Sequence, residues 1–129
     1  MNTMQEVVDA FGSLRWTREV DSRGNGFAYS VLGGNRESDE IYVLAVIQNA
    51  EAPRHTHGVG GTYGEKVGTF IGELHDVDED GRPIQIGPQD VHLHRPGSTH
   101  APRADFWFGF YHQPRGAKLA LEDENLKLA

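Results

Sequence analysis

The segment Ile41–Ile47 reads IYVLAVI and is the most apolar stretch of the chain. It is too short for a core helix, and its β-branched side chains favour a strand that is buried on both faces. One face of such a strand packs into the core. We expect the other face to lie against a second sheet or a second subunit, most simply in a homodimer with two-fold symmetry.

The segments around this strand repeat the pattern of short strands between turns. Residues 66–75 alternate with period two, and in residues 105–111 three phenylalanines alternate with Trp107 and Tyr111. Sixteen glycines and six prolines separate the apolar runs, as expected for many tight turns. This spacing predicts an all-β fold, an antiparallel jelly-roll barrel, with a short helix in residues 1–12 and a C-terminal tail over residues 117–129.

The composition limits the class of protein. A chain of 129 residues predicts one domain over residues 1–129, and the absence of cysteine excludes disulfides and thiolate metal sites. Residues 1–10 show no secretory pattern and no apolar run approaches the roughly 20 residues of a membrane span, so the expected location is the cytoplasm. The net charge of −7, without a basic cluster, argues against nucleic acid as a partner.

Histidines occur in two stretches that suggest a metal site. His55 and His57, in PRHTH at residues 53–57, share one face of a strand and can chelate one ion as neutral imidazoles. Glu65 follows a glycine-rich loop, and His100 ends the second stretch, PGSTH at residues 96–100. Imidazole and carboxylate ligands do not select strongly among Fe, Mn, Ni, Zn and Cu, so the identity of the divalent ion stays open.

The order of these residues resembles the two motifs of the cupin superfamily. His55-x-His57, Glu65 and Gly72 correspond to the first motif, and Asp90, Gly97 and His100 to the second. The resemblance covers residues 49–104. It implies a barrel that holds a metal ion, with four ligands: His55, His57, Glu65 and His100.

The chain departs from the cupin motifs at several positions. Asn49 and Gln89 stand where the motifs have glycine, and Arg95 and Ala104 replace a proline and an asparagine. The spacing from the second histidine to the glutamate is longer by three or four residues. If this longer loop held Glu65 away from the ion, Thr62 or water would take its place.

The resemblance leaves the activity open. It implies an enzyme that acts on a small organic molecule, with a dioxygenase as the first choice and an isomerase or cyclase as the second. The alternatives are a non-catalytic module that senses or stores a metal or small molecule, and a structural dimer with a vestigial pocket.

Three residues are candidates for a catalytic role: His94, Tyr63 and Arg54. Arg54, Tyr63 and Arg103 flank the ligands and could contact an anionic substrate, or could be ordinary rim residues. His92 and His94 share a strand face, either lining the cavity as acid and base or facing outward. We favour the outward orientation for this pair, and His94 over His92 for the cavity.

Overall fold

The computed structural model describes residues 1–35, 40–57, 64–78, 80–114 and 119–121, and excludes the side chains of residues 35, 57 and 119–121. No helix within these ranges is long and apolar enough to cross a membrane. The described elements are α1 (Met4–Ala10), β1 (Thr17–Val20), β2 (Gly26–Asn35), β3 (Glu40–Glu51), β4 (His55–His57), β5 (Lys66–Gly72), β6 (Leu74–Val77), β7 (Pro83–Ile86), β8 (Val91–Leu93), β9 (Thr99–His100), β10 (Arg103–Gln113) and β11 (Leu119–Leu121).

The strands form two antiparallel sheets, which confirms the predicted jelly-roll fold. In the larger sheet the order is β1-β2-β3-β10-β5-β8, and β6 pairs with both β10 and β7. The smaller sheet has the order β11-β4-β9. Because β4 lies beside β9, the two histidine-bearing stretches of the sequence become neighbours.

Two apolar clusters lie on opposite faces of the larger sheet. Inside the barrel, Ile47 and Trp107 belong to a cluster of buried side chains from β3, β5, β6, β7 and β10. Outside it, Val46 and Phe108 pack with Met4 and Val7 of α1. Strand β10 therefore places its alternate aromatic side chains on two opposite faces, as the sequence alternation predicts.

Strand β3 is covered on its second face by the N-terminal helix over part of its length. Val46 is fully buried there, whereas Tyr42 on the same face is 44% exposed. The prediction that the second face of this strand is buried against another element is thus confirmed at Val46. The covering element is α1, rather than the second sheet or subunit that the sequence suggested.

The positions where the cupin motifs have glycine share one backbone conformation in this chain. Gly72 and Gly97 have φ values of 83° and 81°, and the substitutes Asn49 and Gln89 have φ values of 45° and 70°. Asparagine tolerates the left-handed region, but glutamine is strained there. Asn49 and Gln89 therefore keep the left-handed turn geometry, although neither is glycine, the residue that adopts it most easily.

Replacing Gln89 with glycine is expected to stabilise the protein by about 0.5–1 kcal/mol. The left-handed conformation costs a residue with a Cβ about 1–2 kcal/mol, and the greater freedom of glycine in the unfolded chain offsets part of the gain. Urea unfolding measures the change. The control is Gln85→Gly in β7, where glycine should destabilise an ordinary strand position; equal losses in both variants would contradict the prediction.

Candidate metal centre

Three of the predicted ligands meet inside the barrel. His55 on β4 and His100 on β9 are directly paired across antiparallel strands, and Glu65 precedes β5. One ligand atom from each of the three lies within 4.8 Å of the others. All three side chains are buried. Glu65 therefore lies with the histidines although the spacing from His57 to Glu65 is longer than in the cupin motif.

The hydrogen bonds of the two histidines define their tautomers. His55 Nδ1 lies 2.7 Å from the carbonyl oxygen of Pro53, which can only accept. His100 Nδ1 lies 2.7 Å from Oδ2 of Asp76. In the neutral imidazoles the proton is therefore on Nδ1 and the lone pair on Nε2. His100 Nε2 faces Glu65 Oε1 at 3.6 Å, so the lone pair is directed towards the carboxylate side of the cluster.

Asp76 is a buried carboxylate that belongs to neither of the two histidine motifs. It lies in β6, with Oδ2 at 2.7 Å from His100 Nδ1 and 3.3 Å from His94 Nε2. Burial alone would raise the pKa of Asp76, but the hydrogen bond with His100 and the electrostatic attraction of the nearby His100 and His94 rings outweigh it, and the pKa lies well below its usual range. The carboxylate is therefore ionised at neutral pH and holds the His100 ring in one orientation. Its position two residues after Leu74, on the same inward face, is the signal that could have identified it.

His94 is buried, which corrects the outward orientation favoured from the sequence. Its side chain is 1% exposed, whereas His92 is half-buried. Its Nε2 lies 3.3 Å from Oδ2 of Asp76, and neither ring nitrogen has a hydrogen bond of good geometry to the described residues. His94, Asp76 and His100 thus form a second group of ligand-type side chains beside the first. A catalytic role for His94 stays a prediction.

The remaining candidates are placed as follows. The structure describes His57 only through its backbone, which pairs with Leu119 of β11. Tyr63 and Thr62 lie outside the described residues. Arg54 is exposed on the rim beside His55. Of these candidates, the structure places the side chain of Arg54, which lies at the rim. The side chains of His57 and Tyr63 are not among those that the structure describes.

Glu65 reaches the barrel because Gly64 lies directly against the backbone of the facing strand. The carbonyl oxygen of Glu65 accepts a hydrogen bond from the His94 amide at 2.8 Å. A Cβ on Gly64 would overlap the carbonyl oxygen of His94. Both partners in this contact are backbone atoms, so the chain can accommodate a side chain only by moving Glu65.

The variant Gly64→Ala is expected to weaken metal binding by about tenfold or more, since displacement of a ligand by about 1 Å is enough to lose its bond. The measurement is competition with a chelator. Gly24→Ala is a control at a turn where a Cβ meets no atom within 4 Å, and its φ of 79° adds a backbone strain that Gly64→Ala lacks. Wild-type affinity in Gly64→Ala would show that Glu65 does not depend on this contact.

The barrel cavity is the space next to the three candidate ligands. It has a volume of about 50 Å³ and is lined by His55, Glu65 and His100 together with mainly apolar side chains, among them Trp107 and Val67. This is room for an ion and a few water-sized molecules. It is smaller than the several hundred Å³ of pockets that enclose organic ligands.

Comparison with solved structures identifies the fold class as the double-stranded β-helix. The DMSP lyase DddQ from Ruegeria pomeroyi aligns over 98% of this chain and 73% of its own, with 18% identity and a TM-score of 0.66. An uncharacterised double-stranded β-helix protein from Klebsiella pneumoniae aligns over 91% of this chain and 95% of its own, with 20% identity and a TM-score of 0.61.

Within this class, the fold is shared with a solved cupin superfamily protein, in agreement with the motifs. A cupin superfamily protein from Desulfitobacterium hafniense aligns over 74% of this chain and 84% of its own, with 14% identity and a TM-score of 0.57. No protein-family model matches the sequence. No curated protein matches it either. At these identities the structural likeness establishes the fold, and the chemistry has to be argued from the site.

Proposed function

We propose that this protein binds a divalent metal ion in its barrel and is an enzyme that acts on a small organic molecule. The observation that carries the proposal is the convergence of His55, His100 and Glu65 in a buried space, with Nδ1 of each imidazole within hydrogen-bond distance of an oxygen outside this group. Neutral imidazole and carboxylate are the ligand types that Fe, Mn, Ni, Zn and Cu share. His57 is the proposed fourth ligand, on the sequence pattern alone.

The charges in this part of the barrel also favour a cation. Asp76 is ionised and completely buried, and Glu65 is 5% exposed. Buried carboxylates without compensation by a positive charge are costly. A divalent ion would place positive charge next to Glu65, and the Asp76–His100 hydrogen bond would strengthen His100 as a ligand, as carboxylates behind metal-binding histidines commonly do.

The proposed activity is a dioxygenase reaction first, and an isomerase or cyclase reaction second. A bound ion would supply Lewis acidity or redox chemistry. The ligand residues would hold the ion. Apolar side chains line the cavity around it, and the small volume of the cavity limits the space beside the ion to small molecules. Solved structures with this fold include FeII HppE and the polyketide cyclase RemF, besides the DMSP lyase, so the proposal extends to redox-neutral reactions.

Reconstitution of the metal-free protein with each candidate ion tests the activity. Oxygen uptake and product formation would be followed with aromatic and keto-acid substrates. Oxygen uptake that depends on substrate and is lost in His100→Ala supports a dioxygenase. Turnover under nitrogen supports an isomerase, a cyclase or a lyase. Absence of turnover with every loaded ion, in both conditions, contradicts the enzyme proposal for these substrate classes.

The second candidate is a non-catalytic module that senses a metal or small molecule. It is favoured by the small volume of the barrel cavity, which leaves little room for an organic substrate next to the ion. Such a module should bind a protein partner only in the loaded state, and this dependence should persist in preparations without turnover.

We also propose a homodimer with two-fold symmetry. The outer face of the larger sheet keeps Tyr42, Phe70, Val91 and Leu93 more than two-fifths exposed, beyond the area that α1 covers. Light scattering at decreasing concentration should therefore report twice the monomer mass, and Leu93→Glu should shift it towards the monomer. A monomer mass for the wild type at every concentration would contradict the proposal.

A further inference from the structure

A second concave space, larger than the barrel cavity, also includes His100 in its lining. We call it the outer groove. It has a volume of about 700 Å³, within the usual range for pockets that bind small organic ligands. Its lining comes from the β6–β7 hairpin, from β9 and from the first residue of β10. Asp76 and His100, both buried, form part of this lining.

The groove contains a guanidinium that is available for a ligand. Arg103 is exposed, and its side chain makes no hydrogen bond or ion pair with any residue that the structure describes. Its neighbour across the strand pair is Glu51, which also lines the groove, yet the two are not within ion-pair distance. Among the described lining residues Glu51 is the single exposed carboxylate, whereas Arg54 and Arg103 both contribute positive charge.

The β6–β7 hairpin contributes apolar side chains to the groove. Val77 and Pro83 are paired across the hairpin and both line the groove, and Ile84, the partner of the buried Asp76, lines it as well and packs against the core. Apolar surface beside a planar guanidinium suits a ligand with an apolar body and one carboxylate, because a carboxylate matches the two parallel N–H donors of arginine. Inorganic phosphate would use the charge but not the apolar surface.

We propose that the outer groove is a binding site for small organic carboxylates, distinct from the barrel cavity, in which Arg103 binds the carboxylate group. The two compartments differ in size by more than tenfold, since the barrel cavity holds about 50 Å³ and the groove about 700 Å³. His100 lines both spaces. A ligand in the groove would therefore lie next to the buried Asp76–His100 pair without entering the barrel.

The test is a titration followed by ¹H–¹⁵N NMR of the full chain, with benzoate as the probe. Benzoate should shift amide signals of residues 77, 84, 99 and 103. Arg103→Met should raise the Kd by about tenfold or more, as expected for loss of a charge-assisted pair, and Arg103→Lys should give an intermediate loss. Arg23→Met removes the same unit charge from an exposed turn and should leave the Kd within twofold.

The remaining probes separate this site from weaker alternatives. Benzyl alcohol, which has the same ring and no charge, should bind at least tenfold more weakly than benzoate. Equal binding of benzyl alcohol would overturn the carboxylate site, and so would equal binding of inorganic phosphate. Shifts centred on other residues, or an unchanged Kd in Arg103→Met, would also overturn it. Because the titration uses metal-free protein, its result is independent of whether the barrel binds an ion.

Discussion

Simultaneous replacement of His55 and His100 by alanine is expected to abolish stable binding of a divalent ion. The two side chains supply two of the three convergent donors that the structure describes, and what remains of the cluster is one carboxylate. The loss should exceed the roughly 10–100-fold that removal of an outer hydrogen-bond partner typically causes. The measurement is elemental analysis after incubation with each candidate ion and removal of excess.

The matched control for this experiment removes two histidines from elsewhere. His75 and His112 are only partly buried, and neither belongs to a group of convergent ligands among the described residues. The double variant His75→Ala/His112→Ala should keep wild-type occupancy. Glutamine replacements at positions 55 and 100, which preserve volume and polarity, separate loss of ligands from loss of folding. Full occupancy in a folded His55→Gln/His100→Gln protein would refute the proposed centre.

The second large effect is expected for Asp76→Asn, which should weaken metal binding about 10–100-fold without removing a ligand. Asparagine retains the shape of aspartate, but it loses the charge that orients the His100 ring and stabilises the positive charge on the ion. Chelator competition measures the affinity. Asp80→Asn, at an exposed turn beyond the same strand, is the control with the same change of charge.

An unchanged affinity in Asp76→Asn would mean that the backbone and packing alone orient His100. The distinction matters because Asp76 also faces His94. If the affinity falls in Asp76→Asn and not in His94→Gln, the hydrogen bond to His100 is the interaction that supports the ion.

Much of the fold followed from the sequence because alternation in a strand is a direct consequence of backbone geometry. Trp107 and Phe108 enter different clusters on opposite faces of one sheet, as a period of two requires. The covering of Val46 by α1 was missed because a pattern of buried residues shows that a face is covered and does not show which element covers it.

The candidate centre was only partly predictable, for a similar reason. His55, Glu65 and His100 occur in the order of a known motif, and the strand pairing brings the two histidines together. Asp76 belongs to no motif, and its neighbours Asp78 and Asp80 make its segment look like a solvated acidic loop. Its role depends on which face of β6 is turned inward, and that is decided by the pairing of β6 with β7 and β10.

His100 lines both compartments, and its Nε2 lies 3.6 Å from Glu65 Oε1 while its Nδ1 lies 2.7 Å from Asp76 Oδ2. Any groove ligand that alters the Asp76–His100 hydrogen bond would therefore change the affinity for the ion. By thermodynamic linkage, the ion would change the affinity for that ligand by the same factor. The binding affinities of the two sites would then be coupled through a single imidazole, without a movement of either sheet.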